Sequence, residues 1–179
     1  MSTHHHADEP QRLDELIDGE RFTMLTRRTP DGLLHSKPMT VLKHDEQGHF
    51  WFFVRSQPGL ASDEASYAQV NLAFSRPDKG THVSLAGQGR LVRDRAQIHA
   101  LWTPMAKPFF PEGPDAPDLA LLQVTATAGE YWDGPSNGVA RAFALAASIA
   151  AGKPVGMGEH GPVDLGDAAA APPQAMPHA

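Results

Sequence analysis

The run Val70-Asn71-Leu72-Ala73-Phe74-Ser75-Arg76-Pro77-Asp78-Lys79-Gly80-Thr81-His82-Val83-Ser84-Leu85 alternates on both sides of a turn. Val70, Leu72 and Phe74 alternate with Asn71, Ala73 and Ser75, and a two-residue period makes one side of an extended chain apolar. Pro77-Asp78-Lys79-Gly80 then reverses the direction, since proline presets the first central dihedral of a turn and glycine accepts a positive one. Residues 81–92 extend again, with Val83, Leu85 and Leu91 on the same side as Gly87 and Gly89. Two bare positions at mid-strand mean either close approach of another group or a bend that curls the sheet, and the residues favour the bend.

The same grammar spreads outward from this hairpin. In residues 21–28, Phe22 and Met24 alternate with Thr23, Leu25 and Arg27, and Thr29-Pro30-Asp31-Gly32 turns the chain into a return strand over residues 33–43. Asp45-Glu46-Gln47-Gly48 closes that strand, and residues 49–54 form an unbroken apolar and aromatic run suited to a strand covered on both faces. Residues 119–125 and 130–133 read as two more strands, and residues 159–165 as a short edge segment. Helices fall around them. Leu13, Leu16 and Ile17 share one helical face, ended by Gly19. Ser62 opens a short helix to Tyr67, and Asp94 with Gln97 resembles a capping box before Ile98, Leu101 and Trp102. Asn137 caps a helix that Gly152 stops near residue 151. Residues 105–117 are rich in proline and glycine yet hold Phe109 and Phe110, which predicts an ordered loop. The expected fold is mainly β (α+β), a small antiparallel barrel with peripheral helices. Residues 1–10 read as a flexible arm, 11–165 as one domain and 166–179 as a disordered tail.

Composition narrows the chemistry. A chain of 179 residues, 41% of them hydrophobic, supports one sizeable core. A net charge of -6 gives no global attraction for nucleic acid or an anionic membrane, though a local site for one phosphate stays open. The absence of cysteine removes disulfides, thiolate metal sites and cysteine nucleophiles, and suits the cytoplasm. No apolar run is long enough to span a bilayer. There is no glycine-rich phosphate loop, no His-Glu-x-x-His and no Gly-x-Ser-x-Gly, so no catalytic residue is assigned and no metal site is expected. His4, His5 and His6 lie in the arm, and His35, His44, His49, His82 and His99 are scattered over different elements. Two stretches remain peculiar. Ser36-Lys37-Pro38-Met39 places a proline inside a strand, which marks an edge or a backbone that serves something besides sheet pairing. Aromatics concentrate in Trp51-Phe52-Phe53, Leu101-Trp102, Phe109-Phe110 and Tyr131-Trp132, either as core or as the lining of a ligand site.

Taken in order, these stretches resemble the general stress protein branch of the pyridoxamine 5'-phosphate oxidase-like family. The most specific words are Leu101-Trp102-Thr103-Pro104, Phe109-Phe110-Pro111-Glu112-Gly113-Pro114-Asp115, Leu119-Ala120-Leu121-Leu122-Gln123-Val124 and Glu130-Tyr131-Trp132-Asp133, spaced as that family spaces them. The resemblance covers residues 11–165 and implies a homodimeric split β-barrel that binds a flavin nucleotide, FMN or FAD. It also implies that Ser36, Lys37, Pro38 and Met39 lie against the flavin, with Lys37 in the place of a basic residue before Pro-Met. Trp51, Phe52, Phe53 and Val54 would pass the isoalloxazine. The loop that follows commonly ends in a lysine that grips the phosphate, and Leu60 stands there in this chain. Losing one charge-assisted bond to a phosphate removes roughly 1.5 to 3 kcal/mol, so either Arg55 and Ser56 compensate from the same loop or the nucleotide is held more weakly. Trp102, Lys107, Phe109 and Trp132 are the candidate contacts from the pocket rim or the second subunit.

The resemblance therefore implies a flavin-binding protein of general-stress type with weak oxidoreductase activity at most. The alternative is a flavin-free dimeric scaffold for another ligand or partner, for which Leu60 is the evidence. True pyridoxamine phosphate oxidases carry a C-terminal Trp-x-x-x-Arg-Leu type segment, whereas residues 152–179 are rich in glycine, proline and alanine.

Overall fold

The computed structural model describes residues 9–56, 65–135, 145, 147–152 and 159–163. Leu60, the start of the helix expected at 62–67, most of the arm and the whole 166–179 tail lie outside the described residues. Of the helix expected to reach residue 151, residues 145 and 147–151 are described, and they are helical.

The strands are β1 (Phe22–Arg28), β2 (Leu34–Thr40), β3 (Lys43–His44), β4 (His49–Arg55), β5 (Val70–Arg76), β6 (Thr81–Val92), β7 (Leu119–Asp133) and β8 (Glu159–Val163). All pairings are antiparallel, in the order β2-β1-β5-β6-β7-β4-β3, with β8 beside the second half of β7. The sheet curls so that β2 approaches β4 across the interior, giving a split β-barrel. Helix α1 (Glu9–Ile17) buries Leu13, Leu16 and Ile17 among Leu25, Phe50, Phe52, Leu72, Phe74, Val83 and Leu85.

Two cores share β4 and β7. Phe50, Phe52 and Val54 face the barrel interior with Ala120, Leu122 and Val124. Phe53, Leu119 and Leu121 face the other way, under helix α2 (Arg95–Leu101) and the 105–117 loop, where they meet Ile98, Ala106 and Phe110. That is why residues 49–54 carry no polar alternation: both faces of β4 are covered. Asp94 caps α2 through its carboxylate, which accepts bonds from the Ala96 and Gln97 amides at 2.8 and 3.3 Å.

Helix α1 begins at Glu9, two residues inside the expected arm, and among the strands the structure differs from the sequence reading in two places. Residues 119–133 form one 15-residue strand instead of two, because β6 pairs along all of it. Thr127 is the extra residue of a bulge: Gly87 pairs with Ala126 and Ala86 with Ala128, and the Thr127 hydroxyl donates to the Ala86 carbonyl at 3.3 Å. The expected 33–43 strand breaks after Thr40 into β2 and the two-residue β3.

The glycines of β6 satisfy both readings of their bareness. A Cβ on Gly87 would stand 2.6 Å from the Thr125 carbonyl oxygen, at the bulge itself. A Cβ on Gly89 would meet Tyr67 and Leu122, and the Gly89 amide donates to the Tyr67 carbonyl at 2.8 Å. The bend curls the sheet, and the close approach belongs to the chain's own 65–69 segment.

Candidate functional site

In an antiparallel ladder, residues directly opposite each other project to the same face. Lys37 pairs with Leu25, and Leu25 is wholly buried in the barrel, so Lys37 and, two residues on, Met39 project inward. Arg27 pairs with His35 and lies on that same inner face, diagonal to Lys37. Its guanidinium stacks on the buried Tyr67 ring, 5.1 Å from the centroid. Its Nε is buried without a hydrogen-bond partner. Burial, and secondarily the charge of Arg27, push the Lys37 ammonium below its ordinary range. β2 is the last strand of the sheet, which accommodates Pro38. Ser36 and Pro38 point to the outer face and are exposed, the Ser36 hydroxyl meeting Thr26 at 2.7 Å.

The other candidates from the sequence do not all gather there. On β4, the side chains of Phe52 and Val54 are packed in the inner core. Trp51 and Phe53 project to the second core, where Phe53 contacts Trp102 at 5.6 Å and Phe110 at 5.9 Å between ring centroids. Lys43 lies over the Trp51 ring at 5.3 Å. Phe109 is 70% exposed at the tip of the 105–117 loop, and Lys107 is exposed beside it. Trp132 is 43% exposed on the outer face, opposite His82.

Arg55 and Ser56 are engaged by the chain itself. Arg55 donates to Asp118 at 2.6 Å and to the Phe109 carbonyl at 2.9 Å, approaches Glu112 at 3.5 Å and stacks on Phe110. The Asp118 bond raises its already high pKa, so it is a permanent cation clamping the aromatic loop. Ser56 is buried, its hydroxyl accepting from Arg93 at 3.0 Å and its amide donating to the Asp118 carbonyl. Arg27 is the residue that the sequence reading passed over. The signal was present in the strand period, which puts a charge on the side of Leu25. What was hidden is that Tyr67 arrives beside it from forty residues on.

The pyridoxamine 5'-phosphate oxidase-like family profile matches residues 8–155. The chain belongs to that family. No curated protein matches it. Among solved structures it resembles a protein from Clostridium acetobutylicum related to general stress protein 26 of B. subtilis, at 27% identity and a TM-score of 0.60 over 69% of this chain and 87% of that one. The general stress FMN/FAD binding protein of the phytopathogen Xanthomonas citri is 26% identical, with a TM-score of 0.60 over 73% of this chain and 92% of that one. A structure from Jannaschia sp. CCS1, described as a general stress protein 26, shares the fold at 24% identity with a TM-score of 0.66 over 88% of this chain and 99% of that one. This family member thus has its relatives on the general-stress branch, in agreement with the resemblance read from the 101–133 words.

No helix among the described residues is long and apolar enough to cross a membrane, and among them no cluster of three metal-ligating side chains occurs.

Proposed function

We propose that the protein binds a flavin nucleotide, FMN or FAD, as a cytoplasmic homodimer of general-stress type, with weak oxidoreductase activity at most. The observation that carries this reading is Lys37: a half-buried ammonium on the inner face of the Lys-Pro-Met strand, beside a second cation and with no carboxylate paired to it among the described residues. Such a group is costly without an anion, and a flavin nucleotide brings one. The FMN/FAD-binding relative from Xanthomonas citri supports the choice of anion. A bound flavin supplies hydride and single-electron chemistry, which accounts for the absence of a catalytic constellation in the sequence. The chain's own task is to hold and orient it: Lys37 toward the phosphate, the Ser36-to-Met39 and Trp51-to-Val54 backbones along the ring, and Trp102, Lys107, Phe109 and Trp132 at the rim or from the second subunit.

A homodimer has a ready surface. Phe22 and Leu34, 60% and 75% exposed, lie with Met24 and Pro38 on the outer face of β1 and β2, where no described helix covers them. Sedimentation should give twice the chain mass, and Met24→Glu should yield monomer. A folded wild-type monomer at micromolar concentration counts against the dimer.

The purified protein should show a yellow, flavin-type visible spectrum, or acquire one when FMN or FAD is added. Binding of neither sinks the flavin reading. A flavin-free scaffold is the second reading, favoured by Leu60 together with the commitment of Arg55 to Asp118 and Glu112. A folded dimer indifferent to both nucleotides is its signature.

A further inference from the structure

We propose that Arg27 and Lys37 together form a dianion-binding pair on the inner face of β1 and β2, built for a phosphate monoester, and that Arg27 takes the place of the missing loop lysine. This deepens the flavin reading and rests on it only for the identity of the ligand.

Four observations carry it. Arg27 and Lys37 are diagonal neighbours across the β1–β2 ladder, a relation that sets side chains about 7–8 Å apart, within reach of one phosphate between them. Both project toward the barrel interior, where desolvation makes two adjacent like charges expensive. Neither has a carboxylate partner among the described residues. Arg76, which is partly buried too, does have one: it pairs with Glu20 at 3.2 Å. Finally, the Arg27 guanidinium lies over the Tyr67 ring, 5.1 Å from its centroid, which fixes the side it occupies, and its buried Nε has no hydrogen-bond partner.

A phosphate monoester meets these conditions. It carries close to two negative charges and three acceptor oxygens, enough for the arginine fork and the lysine at once. Binding removes the repulsion between the two cations, so each raises the other's contribution. Arg55 is not placed for the same anion, because it projects from β4 toward the second core and both its terminal nitrogens are bonded there, to Asp118, the Phe109 carbonyl and Glu112.

The test compares FMN with riboflavin, which has the same ring and ribityl chain without the phosphate, on the full chain by flavin fluorescence. Wild type should prefer FMN by about ten- to a hundredfold, one or two charge-assisted bonds to phosphate. Arg27→Gln should remove most of that preference while riboflavin affinity stays, Arg27→Lys should keep part of it, and Arg28→Gln, an equal loss of charge on the exposed side of β1, should leave it intact. Circular dichroism and the Arg27→Lys variant guard against misfolding. An FMN preference unchanged in Arg27→Gln overturns the pair and leaves the flavin reading standing. If no flavin binds wild type, inorganic phosphate is titrated against the thermal midpoint. A rise in wild type that is absent from Arg27→Gln upholds the anion site and discards the flavin. No response of wild type to flavin or phosphate overturns the pair.

Discussion

Replacing Gly87 by alanine tests the account of how the sheet curls. The added Cβ would lie 2.6 Å from the Thr125 carbonyl oxygen, 3.1 Å from Val124 Cγ1 and 3.2 Å from Ala126 Cα. The first and last are backbone atoms of the neighbouring strand, so no side chain can swing away. β6 and β7 must part at the bulge, where Thr127 is already extruded. Overpacking of this kind costs about 1–3 kcal/mol. Stiffening of the unfolded chain by Gly→Ala returns about 0.4–1 kcal/mol. From the middle of each range the net loss is about 1.3 kcal/mol, which for a domain of this size lowers the thermal midpoint by roughly 3–5 °C. Gly161→Ala is the matched control. Its Cβ first meets the Tyr131 ring at 3.3 Å, a contact that a small ring shift relieves, and its stability should stay within about 0.5 kcal/mol of wild type. Calorimetry and urea unfolding read both variants. A Gly87→Ala protein as stable as wild type, or a larger loss in Gly161→Ala, refutes the close approach of β6 to β7 at the bulge.

Further expectations address the site and its supports. Lys37→Ala should weaken FMN binding by about ten- to a hundredfold, whereas Lys43→Ala, which removes a cation lying on Trp51, should leave it nearly unchanged; equal effects count against the inner-face site. Arg55→Gln should release the loop anchored through Asp118 and the Phe109 carbonyl, seen as faster amide exchange over residues 109–118 with β1 and β5 unaffected; uniform protection would contradict the clamp. Burial acts to raise the pKa of Asp45, but bonds from the His49 amide and ring and from the Gln47 amide outweigh it and hold the carboxyl below its ordinary value. A depressed carboxyl contributes stability that is present above its unfolded pKa and lost as pH falls through the folded one. Asp45→Ala should therefore cost about 1–2 kcal/mol near neutrality, with the gap from wild type narrowing in acid; a pH-independent gap would assign the loss to the turn geometry alone.

Much of the strand layout was legible because side-chain period and turn chemistry are local. Residues 70–76 and 81–92 become β5 and β6 as the alternation and Pro77-to-Gly80 require, and Asp94 caps its helix because the capping bond spans three residues. The unbroken 49–54 run was legible for the converse reason, since a strand without polar alternation needs cover on both faces. The 119–133 strand was not legible. Residues 126–129 read as a break between two strands, and only the continuous partner β6 turns that break into a bulge at Thr127.

The candidate site divides the same way. The Lys-Pro-Met word and the family follow from order and spacing along the chain, and the strand order settles that the word lies on an edge. Which cations are free to meet an anion does not, because that depends on partners distant in sequence. Arg55 sits beside the ligand-bearing strand in the linear reading, yet Asp118, sixty-three positions on, takes its guanidinium. Arg27 is unremarked in the linear reading, yet Tyr67 lies beneath its guanidinium and no carboxylate among the described residues pairs with it. The sequence by itself determined most of the strands and the basic residue before Pro38. Tertiary structure alone decided that Arg27 stands beside Lys37 over the Tyr67 ring while Arg55 is bonded to Asp118, since charge compensation is settled by what the fold brings within a few ångströms.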